Sequence, residues 1–227
     1  MIKVNDINIY YEIHGEGEPL VFIVGLGADV SEYANDIHSL AKKYKVIAFD
    51  NRGAGRTEKP DSPYSIEIMA EDTFGLMQAL GIKCANIVGQ SMGGRIALVL
   101  ALMHPERIKK LVLVSTSARS VKNWRISVFG WARILPILSS KHSQPRFAFV
   151  RQYKALATGN YSDRLHELKI PTAIMHGRKD RIIAFKFGEE LHEGIHNSIF
   201  LAFNGGHLFL FGKELLAFSS AVNKFIG

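Results

Sequence analysis

The chain has 227 residues, 47% of them hydrophobic and 22% charged, and these ordinary proportions exclude a disordered, collagenous or coiled-coil protein. Its longest uninterrupted apolar run, 96–103, is far shorter than the roughly 18 residues that span a bilayer, and charged residues interrupt the first positions where a signal peptide would be apolar. The single cysteine, Cys84, cannot form an internal disulfide, so we expect a cytoplasmic location.

Short strand and helix patterns alternate along the first half of the chain, as they do in βα units that build a mostly parallel sheet. Alternating apolar residues predict an early antiparallel strand over 7–13, which ends at a glycine-rich turn. Further strands are predicted over 20–24, 45–49, 85–88 and 108–115, and helices over about 33–41, 65–80 and 92–103.

The second half continues this pattern after an irregular segment. Strands are predicted over 172–175 and 199–203, and helices over about 184–193 and 213–226. Residues 119 to about 162 fit neither pattern. We therefore predict one α/β core, made by 1–118 and 163–227, and a short basic insertion over 119–162 that we name the lid.

The segment Gly89-Gln90-Ser91-Met92-Gly93 matches G-x-S-x-G between a predicted buried strand and a predicted helix, the context that this motif requires. A serine on such a sharp turn projects its hydroxyl from the carboxyl edge of the sheet, and the flanking glycines avoid collisions with neighbouring backbone. The helix N-terminus also offers the unpaired N–H of Met92 to a developing oxyanion. A glycine-rich connection without catalytic chemistry is the alternative.

A nucleophilic serine needs a base and an acid that orients the base, and in the usual chain order of this motif the acid precedes the histidine. His207 follows the final predicted strand, and Asp180 follows the strand before it. Both lie at carboxyl ends of strands, where open α/β sheets build their sites. No acidic residue lies between Glu106 and Asp163, which excludes an acid directly after the strand over 108–115.

The loop after the strand over 20–24 should supply a second oxyanion donor, because Gly25 and Gly27 let its backbone approach a substrate closely. We assign that donor to the N–H of Leu26. A dinucleotide-binding G-x-G-x-x-G motif is the competing interpretation, but position 30 is valine where the third glycine is needed.

Several segments, in the same chain order, resemble the α/β-hydrolase superfamily. They are Asp50-Asn51-Arg52-Gly53-Ala54-Gly55-Arg56-Thr57, Leu80-Gly81-Ile82, 89–94, 104–107, 111–114, 170–172, 176–180 and Gly205-Gly206-His207. The nearest groups are small carboxylesterases and enol-lactone hydrolases of the 3-oxoadipate type. The resemblance implies an α/β-hydrolase fold, in which helices cover both faces of a mostly parallel twisted sheet. It also implies a catalytic triad and two oxyanion donors: Ser91, Asp180 and His207, with Leu26 and Met92.

The chain departs from the family pattern at two places. Many relatives have His-Gly where this chain has Val24-Gly25, so a hydrogen bond behind the oxyanion loop is expected to be missing. Many relatives also insert a longer helical lid before the strand that carries the acid. The short lid of this chain predicts a more open active site.

Residues 192–196 spell H-E-x-x-H, the helical zinc signature in which two histidines one turn apart bind the metal. Gly194 is expected to end the helix, and Asn197 introduces the next strand, so His196 should lie outside the helix that carries His192. We therefore predict no metal site and no cofactor.

The formal net charge of +7 is concentrated in the lid, where basic residues occur without any acid between Arg119 and Tyr161. They are Arg119, Lys122, Arg125, Arg133, Lys141, Arg146, Arg151 and Lys154, and Trp124 and Trp131 lie among them. Three interpretations stay open: a solvated basic face, a dock for an anionic substrate or an acidic carrier protein, and shallow attachment to an anionic membrane. Nucleic acid is not expected, because no recognition module is present.

These observations predict a cofactor-independent serine hydrolase that cleaves a small carboxylic ester, thioester or lactone through an acyl-enzyme. A ligand-binding relative with an intact triad and very slow turnover is the alternative. The sequence does not separate the two.

Overall fold

The structure, a computed structural model, describes residues 1–121, 142, 144–210 and 214–227. Much of the predicted lid and the predicted start of the closing helix therefore lie outside the described residues. Among the helices that are described, none is both long and apolar enough to cross a membrane.

A seven-stranded sheet forms the centre of the fold, beside a small hairpin of β1 (Ile2–Val4) and β2 (Ile7–Ile9). The seven strands are β3 (Tyr11–His14), β4 (Glu18–Ile23), β5 (Tyr44–Phe49), β6 (Ala85–Gln90), β7 (Ile108–Val114), β8 (Thr172–Gly177) and β9 (Ser198–Phe203). Their spatial order is β3-β5-β4-β6-β7-β8-β9. Only β3 runs antiparallel to its neighbour, and the other described pairs are parallel. The mostly parallel α/β fold that the alternating pattern predicts is confirmed.

Helices cover both faces of this sheet. They are α1 (Ala34–Leu40), α2 (Ile66–Ala79), α3 (Met92–Met103), α4 (Arg146–Ala157), α5 (Lys186–Gly194) and α6 (Leu215–Ile226). Successive side chains of a strand point to opposite faces, so Ile87 of β6 joins the apolar layer under α2 and α3. Its neighbour Val88 joins the layer under α1 and α6. Burial on both faces explains why the central strands are apolar runs without alternation.

The N-terminal segment differs from its prediction as a single strand over 7–13. The hairpin turn at Asn5, where φ is 51°, pairs β2 with β1, and β3 pairs instead with β5. The chain leaves the hairpin at Tyr10, whose N–H donates to Thr57 Oγ1 at 2.9 Å. A side chain from a distant loop thus replaces a ladder hydrogen bond, which the local pattern cannot reveal.

Helix α4 is a described part of the predicted lid, and it packs over the loop that follows β4. The buried Gln152 of α4 accepts a hydrogen bond from the Gly27 N–H at 3.1 Å and donates one to the Arg52 carbonyl at 2.7 Å. The buried Arg95 of α3 donates to the Leu156 carbonyl at 2.6 Å. The C-terminal part of the lid is therefore fixed to the core beside the predicted site.

Candidate active site

Ser91 lies on a sharp turn between β6 and α3, with φ of 57° and ψ of −115°. A Cβ atom at Gly89 would lie 2.3 Å from the Gly93 carbonyl oxygen, and one at Gly93 would lie 2.1 Å from the Ile23 carbonyl oxygen. Both positions therefore require glycine, as the sequence predicts. Strand β7 holds the turn in place, because the Ser91 N–H donates to the Val114 carbonyl at 2.9 Å.

The structure brings Ser91, His207 and Asp180 together in a hydrogen-bonded line. His207 Nε2 lies 3.0 Å from Ser91 Oγ, and His207 Nδ1 lies 2.8 Å from Asp180 Oδ2. Because a carboxylate only accepts hydrogen bonds, Nδ1 carries the proton of the neutral ring, and Nε2 is free to accept from the serine hydroxyl. This arrangement has the geometry of a nucleophile, a base and an orienting acid.

The loop that carries His207 reaches Asp180 because glycines let two backbone segments pack closely. A Cβ atom at Gly177 would lie 2.4 Å from the Gly206 carbonyl oxygen. The Lys179 N–H donates to the Gly205 carbonyl at 3.0 Å, which joins the loop after β9 to the loop after β8. The two loops thus place the imidazole over the carboxylate.

Asp180 is buried and surrounded by hydrogen-bond donors. Burial raises its pKa, but hydrogen bonds from His176 and His207 and the N–H of Ile182 outweigh that effect and hold the pKa at about 2. Its Oδ1 atom accepts the N–H groups of Ile182 and Ile183 at 2.8 and 2.9 Å. The carboxylate is therefore charged and fixed in orientation at neutral pH.

His176 is a residue of this site to which the sequence analysis assigned no role. The ring is fully buried, and its Nε2 lies 2.9 Å from the Ile183 carbonyl oxygen and 3.3 Å from Asp180 Oδ2. Both neighbours are acceptors, so Nε2 carries a proton and supports the same carboxylate oxygen that His207 contacts. Its place at the end of β8, four residues before Asp180, is the signal that could have indicated it.

The predicted oxyanion donors lie on the turns after β4 and β6. Met92 is the first residue of α3, where helical N–H groups lack an acceptor within the helix. Within the described part of the chain, neither the Leu26 nor the Met92 N–H finds a hydrogen-bond acceptor. Both amides thus stay available to a ligand.

The loop that contains Val24-Gly25 is held by a hydrogen bond to another element. The Gly25 N–H donates to the Tyr33 hydroxyl at 3.2 Å, and that hydroxyl donates to Gln90 Oε1 at 2.7 Å. Tyr33 ends a short 3-10 helix, Val30–Tyr33, which Asp29 caps with its side chain. The contact between Gly25 and Tyr33 depends on how the loop folds back, so the sequence did not predict it.

The H-E-x-x-H residues do not share one helix. Helix α5 ends with Gly194, and Ile195 has extended backbone, so His196 lies beyond the helix that carries His192. His192 Nδ1 instead lies 2.8 Å from Ser198 Oγ. The predicted helix end is confirmed, and the spacing that zinc binding requires is not formed.

The family described as "alpha/beta hydrolase fold" matches residues 18–148, which is more than half of the chain. The chain belongs to the α/β-hydrolase family. A related protein, "Putative carbamate hydrolase RutD" of Azorhizobium caulinodans, is 26% identical over 96% of this chain and 97% of its own. "Serine hydrolase BPHL" of Mus musculus is 29% identical over 80% of this chain and 70% of its own.

A solved structure of this family is similar over nearly its whole length. The enol-lactonase from Burkholderia xenovorans LB400 has a TM-score of 0.89 and 25% identity, and 98% of each chain is covered. The resemblance predicted from the sequence is confirmed, and this α/β-hydrolase is a hydrolytic enzyme.

Proposed function

We propose that this α/β-hydrolase is a serine hydrolase that cleaves a carboxylic ester, thioester or lactone. Ser91 is the nucleophile, His207 the general base and Asp180 the group that orients the base. The observation that carries the proposal is the continuous line of hydrogen bonds from Asp180 Oδ2 through His207 to Ser91 Oγ.

In this mechanism His207 Nε2 takes the hydroxyl proton while Ser91 Oγ attacks the carbonyl carbon. The negative charge that forms on the carbonyl oxygen is stabilised by the N–H groups of Leu26 and Met92. The imidazolium then protonates the leaving group, and an acyl-enzyme remains on Ser91. Water cleaves the acyl-enzyme with His207 as the base again. Asp180 stabilises the imidazolium throughout and stays ionised.

The substrate class is best tested with a panel of small acyl compounds. The related proteins are named as a carbamate hydrolase, a serine hydrolase and an enol-lactonase, so the panel should contain carbamates beside esters, thioesters and lactones. Short aryl esters are the reference because their good leaving group makes acylation of the serine easy to observe. Selective turnover of carbamates alone would contradict the ester assignment.

Labelling and mutation of the serine test the nucleophile. A fluorophosphonate should modify Ser91, as seen by mass spectrometry of the peptide, and Ser91→Ala should retain less than a few per cent of the esterase activity. The substitution removes one oxygen from a half-buried side chain, so the melting temperature should not fall. A variant that retains substantial activity would show that the nucleophile is wrong. Labelling without any turnover across the panel would favour the ligand-binding alternative.

A further inference from the structure

A buried chain of hydrogen bonds connects the oxyanion loop, the turn before the nucleophile and the histidine loop. It begins at the Gly25 N–H, passes through the Tyr33 hydroxyl to Gln90 Oε1, and continues from Gln90 Nε2 to the His207 carbonyl oxygen at 3.5 Å. The two side chains are almost completely buried, with exposed fractions of 2% for Tyr33 and 1% for Gln90. We name this chain of hydrogen bonds the bridge.

Each end of the bridge lies on, or next to, a group that the proposed mechanism uses. Gly25 directly precedes Leu26, Gln90 directly precedes Ser91, and the third contact is to the backbone of His207 itself. A shift of the Gly25 amide would therefore move the Leu26 N–H relative to the serine. Oxyanion stabilisation depends on donors placed within a few tenths of an ångström of the developing charge.

The order of donors along the bridge admits one arrangement. The Gly25 N–H can only donate, so the Tyr33 oxygen accepts it and the single hydroxyl proton points to Gln90 Oε1. That contact fixes the amide of Gln90 with Nε2 toward the His207 carbonyl, where a donor is needed. If the Gln90 amide were rotated by half a turn, Oε1 would face the His207 carbonyl oxygen, and two acceptors would meet without a proton between them.

The surroundings leave the bridge little freedom. A Cβ atom at residue 25 would lie 2.7 Å from Gln90 Oε1 and 3.1 Å from the Tyr33 oxygen, so any larger residue there would displace the bridge. The Tyr33 ring packs against Phe22 of β4, with 5.4 Å between ring centroids. The ring is thus held by packing, and its hydroxyl acts as a fixed support.

We infer that Tyr33 and Gln90 are positioning residues, which hold the Leu26 amide and the His207 loop in the geometry that oxyanion binding needs. This inference rests on the proposed function, because it assigns a purpose to the bridge only if Ser91, His207 and Leu26 act as described. In the proposed mechanism, neither the Tyr33 nor the Gln90 side chain contacts the reacting atoms.

Tyr33→Phe is the direct test, since it keeps the ring and removes the hydroxyl. With a neutral aryl ester, kcat should fall about tenfold, as expected for loss of a buried hydrogen bond, while KM changes less than about twofold. The affinity for a trifluoromethyl ketone, which forms a tetrahedral oxyanion adduct on serine, should fall by the same factor as kcat/KM. A purely structural role would lower the melting temperature without this selective loss of oxyanion binding.

Tyr44→Phe is the matched control. Tyr44 is also buried, and its hydroxyl has no hydrogen-bond partner among the described residues. It is the first residue of β5, at the end of that strand away from the site. The kcat of the Tyr44→Phe variant and its affinity for the trifluoromethyl ketone should equal those of the unmodified protein. Gln90→Met should reproduce the loss seen in Tyr33→Phe, and the double variant should lose no more than the larger single loss, because both substitutions break one connected path.

The outcomes separate this inference from the proposed function. Unchanged kcat and ketone affinity in Tyr33→Phe, together with an inactive Ser91→Ala, would overturn the bridge and leave the triad intact. Activity retained in Ser91→Ala would overturn both. If Tyr33→Phe fails to fold, Gln90→Met decides alone, and wild-type kcat in that variant would refute the inference.

Discussion

Four donors surround the carboxylate of Asp180, and together they lower its pKa. Two backbone N–H groups bind Oδ1, and the imidazoles of His176 and His207 approach Oδ2 at 3.3 and 2.8 Å. Burial alone would favour the neutral acid, but these contacts place its pKa at about 2 instead. Asp180 is therefore ionised throughout the pH range in which enzymes usually work.

The pH profile should accordingly report one group. As pH falls, kcat/KM for a neutral ester should decline through a single protonation, because Asp180 stays ionised until pH approaches about 2. The measurement is the limiting slope of log kcat/KM against pH on the acid side. A limiting slope of two, which indicates uptake of two protons between about pH 4 and 7, would contradict an Asp180 that stays ionised.

Removal of the His176 imidazole should cost stability at the same carboxylate. Leucine at position 176 leaves the Ile183 carbonyl and one side of Asp180 without a donor in a fully buried place, so His176→Leu should lower the free energy of unfolding by about 1–3 kcal/mol. Urea denaturation measures this difference. His176→Gln, which keeps an N–H donor, is the control and should recover part of the loss. Equal stability of the leucine variant and the unmodified protein would refute the supporting role.

Sequence reasoning found the residues of the hydrogen-bonded line but missed the residues that support them. Ser91, Asp180 and His207 follow from a motif and a chain order, which are local or ordinal properties. His176 and Tyr33 act through contacts that depend on how a loop folds back, such as the 3-10 turn that returns the Tyr33 hydroxyl to Gly25. No periodicity or spacing carries that information.

Individual elements show the same division between what a pattern predicts and what packing decides. The helix capped by Ser65 forms as predicted, because the Ser65 side chain accepts the Ile68 N–H and the apolar face packs on the sheet. Strand β6 extends two residues beyond its prediction, to Gln90, since pairing with β7 continues through glycine. Pairing partners, not local composition, set its end.

Helix α1 contains a feature that opposes folding at neutral pH. Asp36 is fully buried, and its carboxylate oxygens have no hydrogen-bond partner in the described part of the chain. Burial raises its pKa from 3.8 to about 7. In the unfolded chain the acid ionises near its ordinary value, so folding becomes progressively less favourable as pH rises from about 4 to 7, and the penalty is complete above that range.

Asp36→Asn should therefore stabilise the protein in a pH-dependent way. The amide has nearly the shape of the acid but never ionises, so the variant should be more stable at pH 8 by up to a few kcal/mol, since one pKa unit corresponds to about 1.4 kcal/mol. Near pH 4 the two proteins should differ little. Urea denaturation at both pH values measures this, and a difference that does not change with pH would contradict a buried ionising carboxyl.

At the scale of the whole molecule, the site lies at the carboxyl edge of the sheet, and the excess charge of the sequence is concentrated in the predicted lid. Two basic residues of the lid are bound to acids of the core: Arg119 pairs with Glu190 at 2.9 Å, and Arg151 pairs with Asp61. These pairs attach the ends of the predicted lid and reduce its free charge. The cations at Arg125 and Arg133 lie outside the described residues, so their role stays a prediction.

An attachment of the lid to anionic membrane has its own test. It requires sedimentation with vesicles that contain an anionic phospholipid, and weaker sedimentation when Trp124 and Trp131 become alanine, because interfacial tryptophan supplies much of the binding energy of such segments. Vesicles of neutral phospholipid are the control. Equal sedimentation with both kinds of vesicle, or none with either, would exclude electrostatic attachment.

The remaining possibility is that the charge of the lid attracts an anionic substrate, and charge reversal tests it. Arg125→Glu with Arg133→Glu should lower kcat/KM for an ester that carries a carboxylate and leave a neutral ester unaffected. Lys42→Glu with Lys43→Glu is the matched control, since these exposed residues after α1 change the net charge by the same amount elsewhere. Raising the salt concentration should reproduce the loss, because exposed charges are screened beyond about 8 Å at physiological ionic strength. If both double variants act alike on both esters, position plays no part, and the basic residues of the lid serve only as solvated surface.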